Sequence, residues 1–326
     1  MLEHGGRLRE AAQRYRIALG DWLDLSTGIN PTGYPVPPVP LQAWLRLPED
    51  GDGLEAAAAR YYGTDRLLPV AGTQAAILAL PACLDARRVL VPEPTYVEHP
   101  HAWRERELRR CHHDEIDAQL DDADLVVVAH PDNPTGTRHP RPVLLDWAHR
   151  LARRGGWLIV DEAFIDPTPT DSLTDATGIP GLIVLRSLGK FFGLAGARVG
   201  FVFGPEALLA ALRERLGPWT LGGPARHVAR IALADQAWQE AMRARLAHDG
   251  ARLAALLEAY GLGKPTGTPL FQWLPTPRAA EFQDRLARQG ILVRRFEQPS
   301  SLRFGLPAEE AAWRRLDAAL AGLQEP

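Results

Sequence analysis

The sequence predicts an α/β protein whose large domain is built on a mostly parallel sheet and is followed by a small C-terminal α+β domain. Three observations carry this. Between residues 67 and 190, apolar strand candidates, polar loops and helical patterns alternate, as in a parallel sheet covered by helices. Each strand candidate runs into a polar cluster, and ligands of such sheets bind just beyond the carboxyl ends of the strands. The chain has 326 residues, 46% hydrophobic and 24% charged, enough to bury a large core divided between two lobes.

Composition also narrows the function. A net charge of −3 gives no reason to expect nucleic acid or an acidic membrane as a partner. The only cysteines are Cys83 and Cys111, so neither a disulfide framework nor a cysteine metal site is expected, and no metal is assigned. The opening MLEHGGRLRE lacks an apolar signal region, and no run approaches the roughly 18 apolar residues of a membrane span. A soluble, cytoplasmic protein is the expectation.

Residues 1–40 read as an N-terminal arm. A short helix around Arg7 to Arg16 precedes DWLDLSTGINPTGYPVPPVP, whose prolines and glycines forbid long regular structure. Residues 41–224 form the large domain. LLPV at 67–70 runs into Ala71-Gly72-Thr73-Gln74 and the helical AAILALPACL, and RVLV at 88–91 runs into PEPTY. LVVVA at 125–129 leads to HPDNPTG, WLIV at 157–160 ends on Asp161-Glu162, and LIVL at 182–185 leads to Ser187 and Lys190 before VGFVF. Gly72-Thr73-Gln74 opens a helix, where free N–H groups and the helix dipole favour an anion; the commoner use of threonine there is capping. Asp161 sits at the rim of a buried strand, where an unpaired carboxylate is costly. Residues 225–326 supply a bridging helix, or two, with solvated charges, then strands at LFQWL, ILVRRF and SLRFG and helices at 278–289 and 307–321.

Lys190 stands out chemically. Of 37 Lys plus Arg, only Lys190 and Lys264 are lysines, so arginine serves almost wherever a positive charge suffices. Arginine cannot lose its proton and act as a nucleophilic amine, whereas lysine can when its surroundings lower its pKa. Leu188, Phe191, Phe192 and Leu194 supply apolar surroundings here.

The run S-L-G-K-F-F-G-L-A-G-A-R resembles the cofactor-lysine signature of fold-type I pyridoxal-phosphate (PLP) enzymes, the aspartate-aminotransferase superfamily. The resemblance implies the PLP-dependent transferase fold and PLP as cofactor, joined covalently to Lys190, its phosphate held by Ser187 and Arg198 with Gly72, Thr73 and Gln74. It implies that Asp161, in D-E-A-F, pairs with the pyridinium nitrogen and keeps the ring able to accept electrons. Asn133, in D-N-P-T-G, would bond the cofactor's 3′-oxygen, although the bare string is also a turn signal. Tyr96, in PEPTY, would stack on the ring; a core tyrosine is the plain alternative. Aminotransferases of the family commonly have tyrosine where this chain has Phe164, which fits the cobalamin-pathway branch better.

The same resemblance gives Arg303, in L-R-F-G, the substrate α-carboxylate through paired hydrogen bonds. Arg294, His4 and Asn30 would bind the substrate's own phosphate. Relatives often lend a tyrosine from a partner subunit, but the matching RLPEDGDGLE has none. The likeness runs from HGG near residue 4 to LRFG near residue 305. STGINP, RLPEDGDGL, AGTQAAI, DEAF and SLGKFFGLAGARVGF are most similar to the threonine-phosphate decarboxylases of cobalamin biosynthesis. Implied is decarboxylation of L-threonine O-3-phosphate to (R)-1-amino-2-propanol O-2-phosphate. The alternative is an aminotransferase acting on histidinol phosphate or a related amino-acid phosphate. A non-catalytic binding protein of this fold is a third reading, opposed by the intact Lys190, Asp161 and Arg198. The family also implies a homodimer.

Overall fold

The computed structural model describes residues 4–323. Its strands are β1 (Leu23–Leu25), β2 (Leu67–Val70), β3 (Arg88–Pro92), β4 (Glu107–Cys111), β5 (Leu125–Ala129) and β6 (Trp157–Asp161). They continue with β7 (Leu182–Ser187), β8 (Gly200–Phe203), β9 (Thr266–Thr268), β10 (Phe271–Pro275), β11 (Ile291–Phe296) and β12 (Ser301–Gly305). The described residues cluster into two compact units, residues 33–133 with 137–243, and residues up to 32 with 134–136 and 244 onward.

The larger unit carries a seven-stranded sheet in the order β2-β8-β7-β6-β5-β3-β4. It is parallel except at β8, which runs antiparallel to β2 and β7. Both faces of its central strands are buried. Val127, Ile159, Ile183 and Leu185 pack with Ile77, Leu80, Trp103 and Leu209 on one side, while Val126, Val128, Leu158, Val160 and Val184 are buried on the other. Covered faces explain why these strands read as continuous apolar runs rather than alternating ones. Register then sets the site: Ala129 lies opposite Asp161, and Ser187 opposite Gly200. The ends of β2, β3, β5, β6 and β7 therefore share one edge. β4 pairs along β3 at the sheet margin and is largely exposed.

The smaller unit holds a five-stranded sheet, β1-β11-β12-β10-β9, parallel only between β1 and β11. The segment read as an arm over residues 1–40 thus supplies a strand, with Leu23 opposite Ile291 and Leu25 opposite Val293. The boundary read at residue 224 falls instead after Arg243, inside the helix Gln236–Ala259. Two contacts account for this. The helix Gly223–Ala234 packs on Leu54–Tyr62, and Arg243 donates to the Asp166 carbonyl at 3.0 Å and to the Tyr61 hydroxyl at 3.2 Å. The helical stretch is two helices, separated at Asp235, whose carboxylate accepts the Trp238 N–H at 3.0 Å. Among the described residues no helix is long and apolar enough to cross a membrane.

Candidate active site

The loop after β7 is held at both ends. Leu188 N–H donates to Val199 O and Leu194 N–H to Leu188 O, each at 3.1 Å. Gly189 N–H donates to Ser187 Oγ at 3.1 Å. Phe191 and Phe192 are fully buried and both meet the Trp238 ring, Phe192 stacked on it at 5.6 Å and Phe191 edge-on at 5.4 Å. Two buried aromatics thereby fix the residues next to Lys190, which is itself only half-buried. Lys190 Nζ lies 5.3 Å from the centre of the Phe164 ring.

Thr73, Gln74, Tyr96, Asn133, Asp161, Phe164, Ser187, Lys190 and Arg198 line one cavity at the strand ends. Gly72 adjoins it as the N-cap of the helix Thr73–Ala79, so Thr73 is the first helical residue and not the cap. Space for an anion is kept open by two missing side chains. A Cβ on Gly72, whose φ is +74°, would come within 2.5 Å of Arg198 Nη2, and one on Gly200 within 2.7 Å of Thr73 N. The Thr73 N–H, the Ser187 hydroxyl and the Arg198 guanidinium form a donor set suited to a phosphate. A roomier depression of about 530 Å³ lies elsewhere in this unit, beside Pro69, Arg213 and Trp219, but it is far poorer in the chemistry that Lys190 and Asp161 provide.

Asp161 is 5% exposed. Its Oδ2 accepts from His99 Nε2 at 2.9 Å and its Oδ1 from the Ala163 N–H at 3.1 Å. A carboxylate acceptor requires the hydrogen of His99 on Nε2. Gln74 Nε2 donates to Glu98 at 2.7 Å, and the Tyr96 hydroxyl donates to Gln74 Oε1 at 3.4 Å, so the residues after β2 and β3 are tied together. Behind them, Glu162 is fully buried and accepts from Ser172 Oγ, Leu173 N–H and Arg186 Nη1. Burial pushes its carboxyl up to about 7, against the opposing pull of Arg186. Burial works to lower Arg186, but Asp166 and Glu162 outweigh it and raise the guanidinium on balance.

The substrate candidates belong to the smaller unit. His4 is exposed and lines a depression with Ser26, Arg7, Arg14, Arg294 and Arg295. The Gly6 N–H on Ser26 Oγ, at 2.8 Å, anchors the chain beside His4. Arg294 lies opposite Arg303 in the β11–β12 register. Arg303 is buried, donates from Nη2 to Ser26 O at 3.0 Å and lies 5.2 Å from the Phe271 ring centre. Asn30 is also buried, and its Oδ1 accepts the Thr32 N–H at 2.9 Å, closing a local turn. His4 and Arg294 therefore share a depression that Arg303 and Asn30 do not line.

A profile of the aminotransferase class I and II family matches residues 49–316. The chain belongs to that family. Within it, the chain is 58% identical to threonine-phosphate decarboxylase of Pseudomonas aeruginosa, over all of this chain and 99% of the relative. It is 43% identical to threonine-phosphate decarboxylase of a Sinorhizobium species, over 98% of each. The solved structure of histidinol-phosphate aminotransferase from Sinorhizobium meliloti in complex with pyridoxal-5′-phosphate has a TM-score of 0.79 at 20% identity, with 99% of this chain and 96% of that one covered. That likeness shows the aspartate-aminotransferase-like fold, which is the α/β class read from the sequence.

The amine, buried carboxylate, aromatic ring and anion cradle in this family member's cavity suit a planar cofactor carrying an aldehyde, a ring nitrogen and a phosphate. Sequence reasoning missed His99. Its only signal was a histidine three residues beyond Tyr96, in a stretch, VEHPHAW, with no periodicity to mark it.

Proposed function

We propose that this chain decarboxylates L-threonine O-3-phosphate to (R)-1-amino-2-propanol O-2-phosphate, a step of cobalamin biosynthesis, with pyridoxal 5′-phosphate as cofactor. The observation that carries the reading is the full-length 58% identity to a threonine-phosphate decarboxylase, in a chain where one cavity gathers Lys190, Asp161 and the phosphate donor set. When bound, the cofactor supplies an electron-accepting ring conjugated to the substrate's amine. The chain's own residues do the rest.

Lys190 would hold the cofactor covalently and would supply the amine that moves a proton at the substrate Cα. Asp161 keeps a proton on the ring nitrogen, with His99 holding the carboxylate in place. Asn133 bonds the 3′-oxygen and Tyr96 covers the ring. Gly72, Thr73, Gln74, Ser187 and Arg198 form the phosphate cradle. Arg303 takes the α-carboxylate, while Arg294 and His4 take the substrate phosphate; Asn30, buried in its own turn, does not line their depression. The bond that breaks joins Cα to the carboxylate: carbon dioxide leaves and a proton takes its place. Orienting that bond, rather than Cα–H, is how the enzyme favours one transition state over another.

The natural assembly is a homodimer. Leu41, Trp44, Leu45 and Leu47 around the helix Leu41–Leu45 are each at least 64% exposed, and exposed apolar side chains clustered on one segment favour an interaction site. Incubating the PLP-loaded protein with L-threonine phosphate, and separately with histidinol phosphate plus 2-oxoglutarate, tests the function. Gas release from the first without amino transfer in the second is expected, and Lys190→Ala should abolish it. Amino transfer without gas would establish the aminotransferase instead.

A further inference from the structure

Tyr96 and Asn133 stand on separate loops, one after β3 and one after β5, and a buried polar chain joins those loops away from the cavity. Thr95 Oγ1 donates to Asp132 Oδ1 at 2.7 Å. Asp132 is 0% exposed and Thr95 8%. The other oxygen, Asp132 Oδ2, lies 3.8 Å from His113 Nε2, within ion-pair range. His113 Nε2 also lies 3.2 Å from Pro94 O, and a carbonyl only accepts, so that nitrogen carries a hydrogen. His113 Nδ1 is 3.2 Å from His139 Nε2. The Asp132 N–H donates to Thr137 O at 2.9 Å, which holds the Asp132 backbone to its own loop. A buried carboxylate is costly unless bonded, so losing any of these partners carries an energetic penalty.

We infer that Thr95, Asp132 and His113 form a positioning clamp that sets the Tyr96 ring and the Asn133 amide relative to each other across the cavity. This rests on the PLP reading for the roles of Tyr96 and Asn133. None of the three clamp residues lines the cavity. They act through the two residues next to them in the chain, Thr95 on Tyr96 and Asp132 on Asn133. Because each loop carries one contact to the same flat ligand, a shift of either loop degrades both contacts.

The test uses the full chain with Thr95→Val, which is isosteric but lacks the donor, and Thr95→Ser, which restores it. In the PLP-loaded enzyme, Thr95→Val should lower kcat about tenfold or more, leave KM for threonine phosphate within about threefold, and weaken PLP binding, since small misplacements of catalytic groups are expensive. Thr95→Ser should recover kcat and PLP binding. In the cofactor-free protein, hydrogen exchange should rise about fivefold, the factor one buried hydrogen bond is worth, in peptides 93–99 and 129–136 together for Thr95→Val and in neither for Thr95→Ser. Faster exchange confined to 93–99, unchanged exchange, or loss of kcat that Thr95→Ser does not recover would overturn the clamp. If the unmodified protein does not take up PLP, the functional reading fails, and the exchange comparison still decides whether the two loops are coupled.

Discussion

Replacing His99 by leucine probes the Asp161 carboxylate directly. The wild-type bond is 2.9 Å long between side chains that are 2% and 6% exposed, so no bulk water can replace the lost donor. A hydrogen bond to a charged group contributes about 1.5–3 kcal/mol. If that amount is withdrawn from the charged form of Asp161, kcat falls about 10- to 150-fold. His99→Gln, which offers an N–H of similar reach, should recover most of the activity. The assay is carbon dioxide release from threonine phosphate with each variant saturated with PLP. His99→Leu with wild-type kcat would refute the assignment of His99 to Asp161.

Three further outcomes follow from the geometry. Gly200→Ala places a methyl against Thr73 N; overpacking costs about 1–3 kcal/mol, so PLP affinity by titration should fall about 5- to 150-fold. Stability should fall on acidification below about pH 6.5. Burial lowers His130 to about 3 and His139 to about 4, so between pH 6.5 and 4.5 the unfolded chain binds two protons that the folded one does not. Glu162, raised to about 7, takes up one proton on folding in the same window. The net difference of one proton makes stability fall by about 1.4 kcal/mol per pH unit on acidification. Asp124, lowered to about 2 by its bond to Arg88, acts only below this window. Chemical denaturation at pH 5 and 6.5 measures the slope, which His139→Gln should remove; an unchanged slope would contradict the assignment. Finally, Trp44→Ser with Leu45→Ser should shift the protein toward monomer in sedimentation, and a wild-type assembly state in that variant would place the subunit contact elsewhere.

Much of the fold was legible because buried parallel strands announce themselves. LVVVA, WLIV and LIVL have both faces covered, so no polar residue interrupts them until the ligand edge. β4 escaped notice because ELRRC is an exposed margin strand whose charges face solvent. β1 escaped because LDL, among prolines and glycines, becomes a strand only when β11 is beside it, a contact between residues far apart in sequence. The reversal of β8 is equally non-local. In the site, the family resemblance named Thr73, Gln74, Tyr96, Asn133, Asp161, Ser187, Lys190 and Arg198 at or near strand ends, and these residues line one cavity in the structure. His99 and the Thr95–Asp132 bond were not readable, since their significance comes from contacts across loops separated by tens of residues.

Lys190 is proposed as the amine joined to the cofactor, and Lys264, the only other lysine, is a clean control. Borohydride reduction of the PLP-loaded protein followed by peptide mass spectrometry should place the phosphopyridoxyl group on Lys190 and leave Lys264 unmodified. A stoichiometric label on Lys264, or none on Lys190 in protein that has bound PLP, would contradict it.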